Sequence, residues 1–117
     1  MVENELQAIV RFRFHAGAVE EFKRLSTRCM EIVRARDTGT LQYDTYFNDD
    51  ETECIVLERF RDSEALIEHS ENLAPLMDAI IATGSVSGEL LGTPSAELRA
   101  RFASDGPVQL FAPWLRL

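Results

Sequence analysis

A chain of 117 residues with 45% hydrophobic content is sized for one core, so residues 1–117 are expected to form a single domain. Its formal net charge of −8 repels polyanions, which argues against nucleic acid and anionic membranes as partners and favours a neutral or cationic small molecule. No apolar run is long enough to cross a bilayer, and no basic start leads into an apolar stretch, so a soluble, cytoplasmic protein is expected.

From Glu5 to His15 the chain alternates. Leu6, Ala8, Val10, Phe12 and Phe14 point one way, and Gln7, Ile9, Arg11, Arg13 and His15 the other, which predicts a strand with one apolar and one mixed face. Between Ala18 and Arg36, Val19, Phe22, Leu25, Cys29, Ile32 and Val33 recur at three- and four-residue steps, the pattern of an amphipathic helix, with Gly39 beyond it as a stop signal. Leu41 to Phe47 alternates again, Asn48-Asp49-Asp50-Glu51 interrupts, and Cys54 to Phe60 resumes, which reads as a β-hairpin.

Asp62 and Ser63 are N-cap candidates for a second helix whose residues Ala65, Leu66, His69, Leu73, Leu76 and Met77 fall near helical spacing, so His69 should face the sheet. Pro75 lacks an amide hydrogen and predicts a break near Glu71 to Pro75, with Pro75 in the first turn of a new segment. Val86 to Leu91 reads as a fourth strand, Ser95 to Phe102 as a short helix, and Val108 to Leu117 as an extended tail. The tail's Val108, Leu110, Phe111, Trp114, Leu115 and Leu117 are expected to cover a sheet edge, the chain's own or a partner's. Gly84, Gly88 and Gly92 are read as turn residues. Cys29 and Cys54, without Cys-x-x-Cys spacing or a nearby histidine pair, are read as reduced thiols rather than zinc ligands.

The order strand, helix, strand, strand, helix, strand is the ferredoxin-like split βαβ pattern of the α+β class. Its sheet is expected to be antiparallel with helices on one face, leaving the other for water or another surface. Three stretches carry a resemblance: Gly39-Thr40-Leu41-Gln42-Tyr43, Leu57-Glu58-Arg59-Phe60, and Ser63-Glu64-Ala65-Leu66-Ile67-Glu68-His69. With them, residues 6–91 resemble the antibiotic biosynthesis monooxygenase domain family, and residues 92–117 lie outside the shared core. Phe60 stands where the family more often has tryptophan. The resemblance implies a homodimer forming a dimeric α+β barrel, and a pocket between helices and sheet in each subunit. It also implies, for members with known activity, oxygenation of an electron-rich aromatic or quinol without metal, flavin or other cofactor.

A histidine on an apolar helix stripe is commonly a core residue bonded to backbone. If His69 is functional, its ordinary pKa of about 6.5 suits a base that deprotonates a phenol or quinol. On the leading reading His69 is the catalytic residue, with Tyr43, Phe60 and Met77 as pocket walls. Asn72, three residues after His69, either orients a polar substrate group or caps the helix break. Tyr43 and Tyr46 must point to opposite faces, so at most one lines the pocket. Arg11 and Arg13 are expected to pair with Glu58 or Asp44 across the sheet or a dimer interface. Two alternatives stay open: an isomerase or decarboxylase of a small polar metabolite on the same fold, and a non-catalytic small-molecule-binding or structural dimer. No ligand-spaced cluster or phosphate-cradling glycine loop is visible, so no metal, flavin or haem is expected.

Overall fold

Strict alternation in β1 (Leu6–Phe14) buries Leu6, Ala8 and Phe12 and exposes Gln7, Arg11 and Arg13. The structure, a computed structural model, describes residues 4–117. After β1 come α1 (Val19–Arg36), the hairpin strands β2 (Thr40–Phe47) and β3 (Glu53–Phe60), α2 (Ser63–Ile81), β4 (Gly84–Leu91), α3 (Ala96–Arg99) and β5 (Val108–Phe111). The sheet order is β2-β3-β1-β4-β5. The first four strands pair antiparallel, with Ala8 opposite Glu58 and Leu90, and Tyr43 opposite Glu58. The result is the α+β, ferredoxin-like fold, extended by one helix and one strand.

Both long helices cover the same sheet face. Phe22, Leu25, Cys29 and Val33 of α1 and Leu73 and Ile80 of α2 pack on Phe12, Cys54 and Val56. A second cluster joins Ala65, Leu66 and Ile67 of α2 to Leu6, Ala8, Phe60, Leu90 and Leu98. Acidic Glu20 and Glu21 in the first turn of α1, and Arg34 and Arg36 in its last, match the helix dipole. Asp62 caps α2 by accepting from the Ala65 amide at 2.9 Å. Among the described residues no helix is long and apolar enough to cross a membrane.

The structure corrects several expectations. The second helix does not break at Pro75: α2 runs unbroken from Ser63 to Ile81. Pro75 sits on the exposed side, where water can take the Glu71 carbonyl that loses its helical partner. Its cost of about 3 kcal/mol is offset by keeping Leu73 and Ile80 on one buried stripe, each side chain worth about 1.5–3 kcal/mol. The tail does cover its own sheet's edge, but only through Val108–Phe111, and β5 lies parallel to β4. Parallel pairing is possible because the intervening residues, α3 among them, carry the chain back to the start of β4. The short helix spans only Ala96–Arg99, capped by Ser95.

Gly88 is not a turn residue. It lies within β4, where a Cβ would stand 2.4 Å from the Ile9 carbonyl oxygen. α1 ends at Arg36, as the spacing predicts, with Asp37 rather than a glycine as its C-cap, and Gly39 lies two residues further on. Gly39 lets the loop between α1 and β2 pass close to α2, where a Cβ would stand 2.5 Å from the Ala65 Cβ. Within the chain Arg11 pairs with Glu89 at 2.6 Å and Arg13 with Glu53 at 3.7 Å, rather than with Glu58 or Asp44 across the sheet. For Glu58 parity in β3 is the reason, because it shares the helix-facing side with Cys54, Val56 and Phe60.

Candidate active site

The site begins where α1 ends. The chain leaves the helix at Asp37 in an extended conformation, its amide still bonded to the Val33 carbonyl. The next residue, Thr38, is pinned to α2 by its amide and hydroxyl donating to Glu68 at 2.7 and 3.0 Å. This turns the Asp37 carboxylate under α2, with its side chain only 2% exposed. Asp37 Oδ2 accepts from His69 Nδ1 at 2.7 Å and from the Thr40 hydroxyl at 2.6 Å, while Oδ1 accepts from Asn72 Nδ2 at 2.8 Å. His69 and Asn72 reach one carboxylate because residues three apart share a helix face.

These bonds set the charges. Burial opposes ionisation of Asp37, but the hydrogen bonds from Thr40, Asn72 and His69 hold its carboxyl below the ordinary range. An ionised Asp37 can only accept, so His69 carries its proton on Nδ1 and presents Nε2 as a free lone pair. Burial lowers the pKa of His69 and the Asp37 charge restores it only in part, so the ring is a neutral proton acceptor at pH 7. Tyr43 lies edge-on to the imidazole at 5.1 Å and Phe60 at 5.0 Å between ring centres, fixing its plane.

On the far side of the ring stands Glu58, with Oε1 3.6 Å from His69 Nε2. Burial, and then the Asp37 charge, push its carboxyl up to about 8. Burial likewise holds the Tyr43 phenol well above its ordinary value. Asp37 and Glu58 flank opposite nitrogens of one imidazole and cannot converge on a common ion. Among the described residues no group of three His, Cys, Asp or Glu could hold a metal.

His69 lines a cavity of about 280 Å³ between sheet and helices, and Glu58, the neighbour of its Nε2, lines the same cavity. Its walls are mainly apolar, Val10, Phe12, Leu73 and Ile80 among them, with Ser26, Tyr43, Thr45, Glu58, His69 and Ser70 as polar points. Of the residues singled out from sequence, His69, Tyr43 and Met77 line this cavity. Phe60 is fully buried behind the His69 ring, and Asn72 is neither at the wall nor a cap but a clamp on Asp37. Tyr46 is 55% exposed on the opposite sheet face.

Two residues of this constellation escaped the sequence reading. Glu58 was legible from the parity of Cys54, Val56 and Phe60. Asp37 carries no local signal, because only the turn after α1 brings it to His69. Phe102 and Val108, from beyond the shared core, also line the cavity.

Residues 6–78 match the family described as antibiotic biosynthesis monooxygenase. The chain belongs to that family. Solved structures agree on the fold. MupZ from Pseudomonas fluorescens superposes with a TM-score of 0.84 at 24% identity, covering 98% of this chain and 89% of that one. Rv0793 from Mycobacterium tuberculosis gives 0.68 at 23% identity, covering 78% and 96%. SnoaB from Streptomyces nogalater, described as a cofactor-independent oxygenase, gives 0.67 at 18% identity, covering 80% and 96%. Coverage by MupZ extends over nearly all of the C-terminal segment. Comparison with curated proteins gave no significant match. Family membership therefore supports monooxygenase chemistry at the level of the family.

Proposed function

We propose that this protein is a cofactor-independent monooxygenase that oxidises a small hydroxylated aromatic or quinol. The observation that carries this reading is the Asp37–His69 pair, which engages Nδ1 and whose histidine lines a mainly apolar cavity. His69 takes the phenolic proton, and Asp37 holds the tautomer and stabilises the imidazolium that forms. The resulting phenolate is electron-rich enough to pass electrons to dioxygen. One oxygen atom enters the ring and the other leaves as water: a phenol and dioxygen give a quinone and water. An apolar wall suits both the aromatic ring and dioxygen. The volume, just under the usual range of about 300–1,000 Å³, favours a one- or two-ring substrate.

The homodimer implied by the family resemblance fits this reading. Leu41, Tyr46, Ile55, Phe111, Trp114 and Leu115 are exposed, a surface that a second copy would cover. A cytoplasmic setting would keep the thiols of Cys29 and Cys54 free, as they are here.

Oxygen uptake with a panel of hydroquinones and naphthols tests the proposal. His69→Ala should lose on the order of 10²-fold or more in rate while staying folded. Wild-type rate should rise as pH climbs through the depressed pKa of His69, and the variant should lack that limb. A folded His69→Ala protein with wild-type oxygen uptake would overturn the assignment.

A further inference from the structure

Glu58 is not needed to deprotonate a phenol, yet it stands at the same cavity wall as the base. Its surroundings are distinctive. The charged and titratable groups facing it are Asp37 from the end of α1, Cys29 from α1, Tyr43 from β2 and His69 from α2. None is a lysine or arginine, and its neighbour Arg59 turns to the other face to pair with Glu5 at 2.9 Å. Across β1 its partner is Ala8, which leaves the carboxyl open to the cavity. A buried carboxyl with an ionised aspartate across the imidazole and no cation near it keeps its proton. The cavity therefore presents a proton donor and a proton acceptor side by side, Oε1 of Glu58 and Nε2 of His69, 3.6 Å apart.

We infer that Glu58 is the acid partner of His69, and that the pair gives this cavity an activity that needs no dioxygen: enolisation of small ketones whose acidic carbon lies between an aromatic ring and the carbonyl. The inference shares the base and the cavity with the proposed monooxygenase but not its oxidant. Nε2 of His69 removes a proton from the carbon next to the carbonyl. The C–H electron pair becomes the carbon–carbon double bond, and the carbonyl π pair moves onto oxygen, which takes the proton of Glu58. The product is the neutral enol. The Glu58 carboxylate then recovers a proton from the adjacent imidazolium, so both groups return to their starting states and nothing is oxidised or reduced. Neither a base alone nor an acid alone does this as well, since an enolate formed in an apolar cavity without a proton donor is an unpaired buried charge.

The test is deuterium exchange at the benzylic carbon of 2-tetralone, followed by proton NMR in anaerobic D2O. Wild-type protein should accelerate exchange over buffer by about 10²-fold or more. Glu58→Gln, which keeps the shape and is checked for folding by circular dichroism, should lose about tenfold or more. It should also lose the decline in rate that titration of Glu58 imposes above about pH 8. Equal exchange by Glu58→Gln and wild type would overturn the assignment of Glu58. Absence of acceleration, under conditions where line broadening shows the ketone bound, would overturn the activity. If phenol-dependent oxygen uptake persists in that case, only this inference falls. Exchange without any oxygen uptake would instead uphold it against the monooxygenase reading.

Discussion

Replacing Glu58 with glutamine should stabilise the protein at alkaline pH and leave it nearly unchanged at pH 5. Held at about 8 instead of its ordinary 4.5, the carboxyl stays protonated in the folded chain through a range where the unfolded chain has lost the proton. The folded state then binds more protons, and stability falls by about 1.4 kcal/mol for each pH unit climbed. The contribution is fully present below pH 4.5 and gone above pH 8. Across the window the loss reaches a few kcal/mol, discounted for the 14% of the side chain that remains exposed. Glutamine mimics the protonated acid and has no proton to lose. His69 works in the opposite sense, since its lowered pKa adds stability as pH rises towards 6.5, so the comparison must be between variant and wild type. Urea denaturation at pH 5, 6, 7 and 8 reads the difference directly. It should grow from near zero to about 2–4 kcal/mol in favour of Glu58→Gln. Parallel curves with no divergence would refute the buried, proton-bearing Glu58.

Asp37→Asn sets an amide against donors on at least one side, so His69 is expected to move its proton to Nε2 and cease to act as a base. Nitrogen-15 NMR of the imidazole should show the exchanged tautomer together with a loss of about 10²-fold or more in turnover; an unchanged Nδ1–H would contradict this. Phe102→Ala should lengthen the cavity at modest cost, about 1–3 kcal/mol, and lower KM for alkyl-substituted aromatics relative to the parent compounds. An unchanged KM ratio would remove the C-terminal segment from specificity. Gly88→Ala drives a methyl group into the Ile9 carbonyl and should cost about 3 kcal/mol or more, lowering Tm by about 10 °C; a fall under about 3 °C would show that β4 can move away.

Alternation and helical spacing are local, so the sequence alone determined the order of elements, the faces of β1, the stripe that carries His69 and the cap at Asp62. Each follows from a repeat set by backbone geometry, 2.0 residues in a strand and 3.6 in a helix. The side of the sheet taken by Glu58 was equally local, but reading it as an ion-pair partner of Arg11 or Arg13 set charge matching above parity. Pro75 shows local preference yielding to context, because the buried stripe on both sides of it holds α2 straight. Tertiary structure alone decided the rest. Asp37 reaches His69 only because the loop after α1 folds over α2, 32 residues further along the chain. Phe102 and Val108 enter the cavity only because β5 returns to lie beside β4. The raised proton affinity of Glu58 and the free lone pair of His69 belong to no single residue. They come from exclusion of water and the approach of one ionised carboxylate, conditions that exist only once the helices close over the sheet.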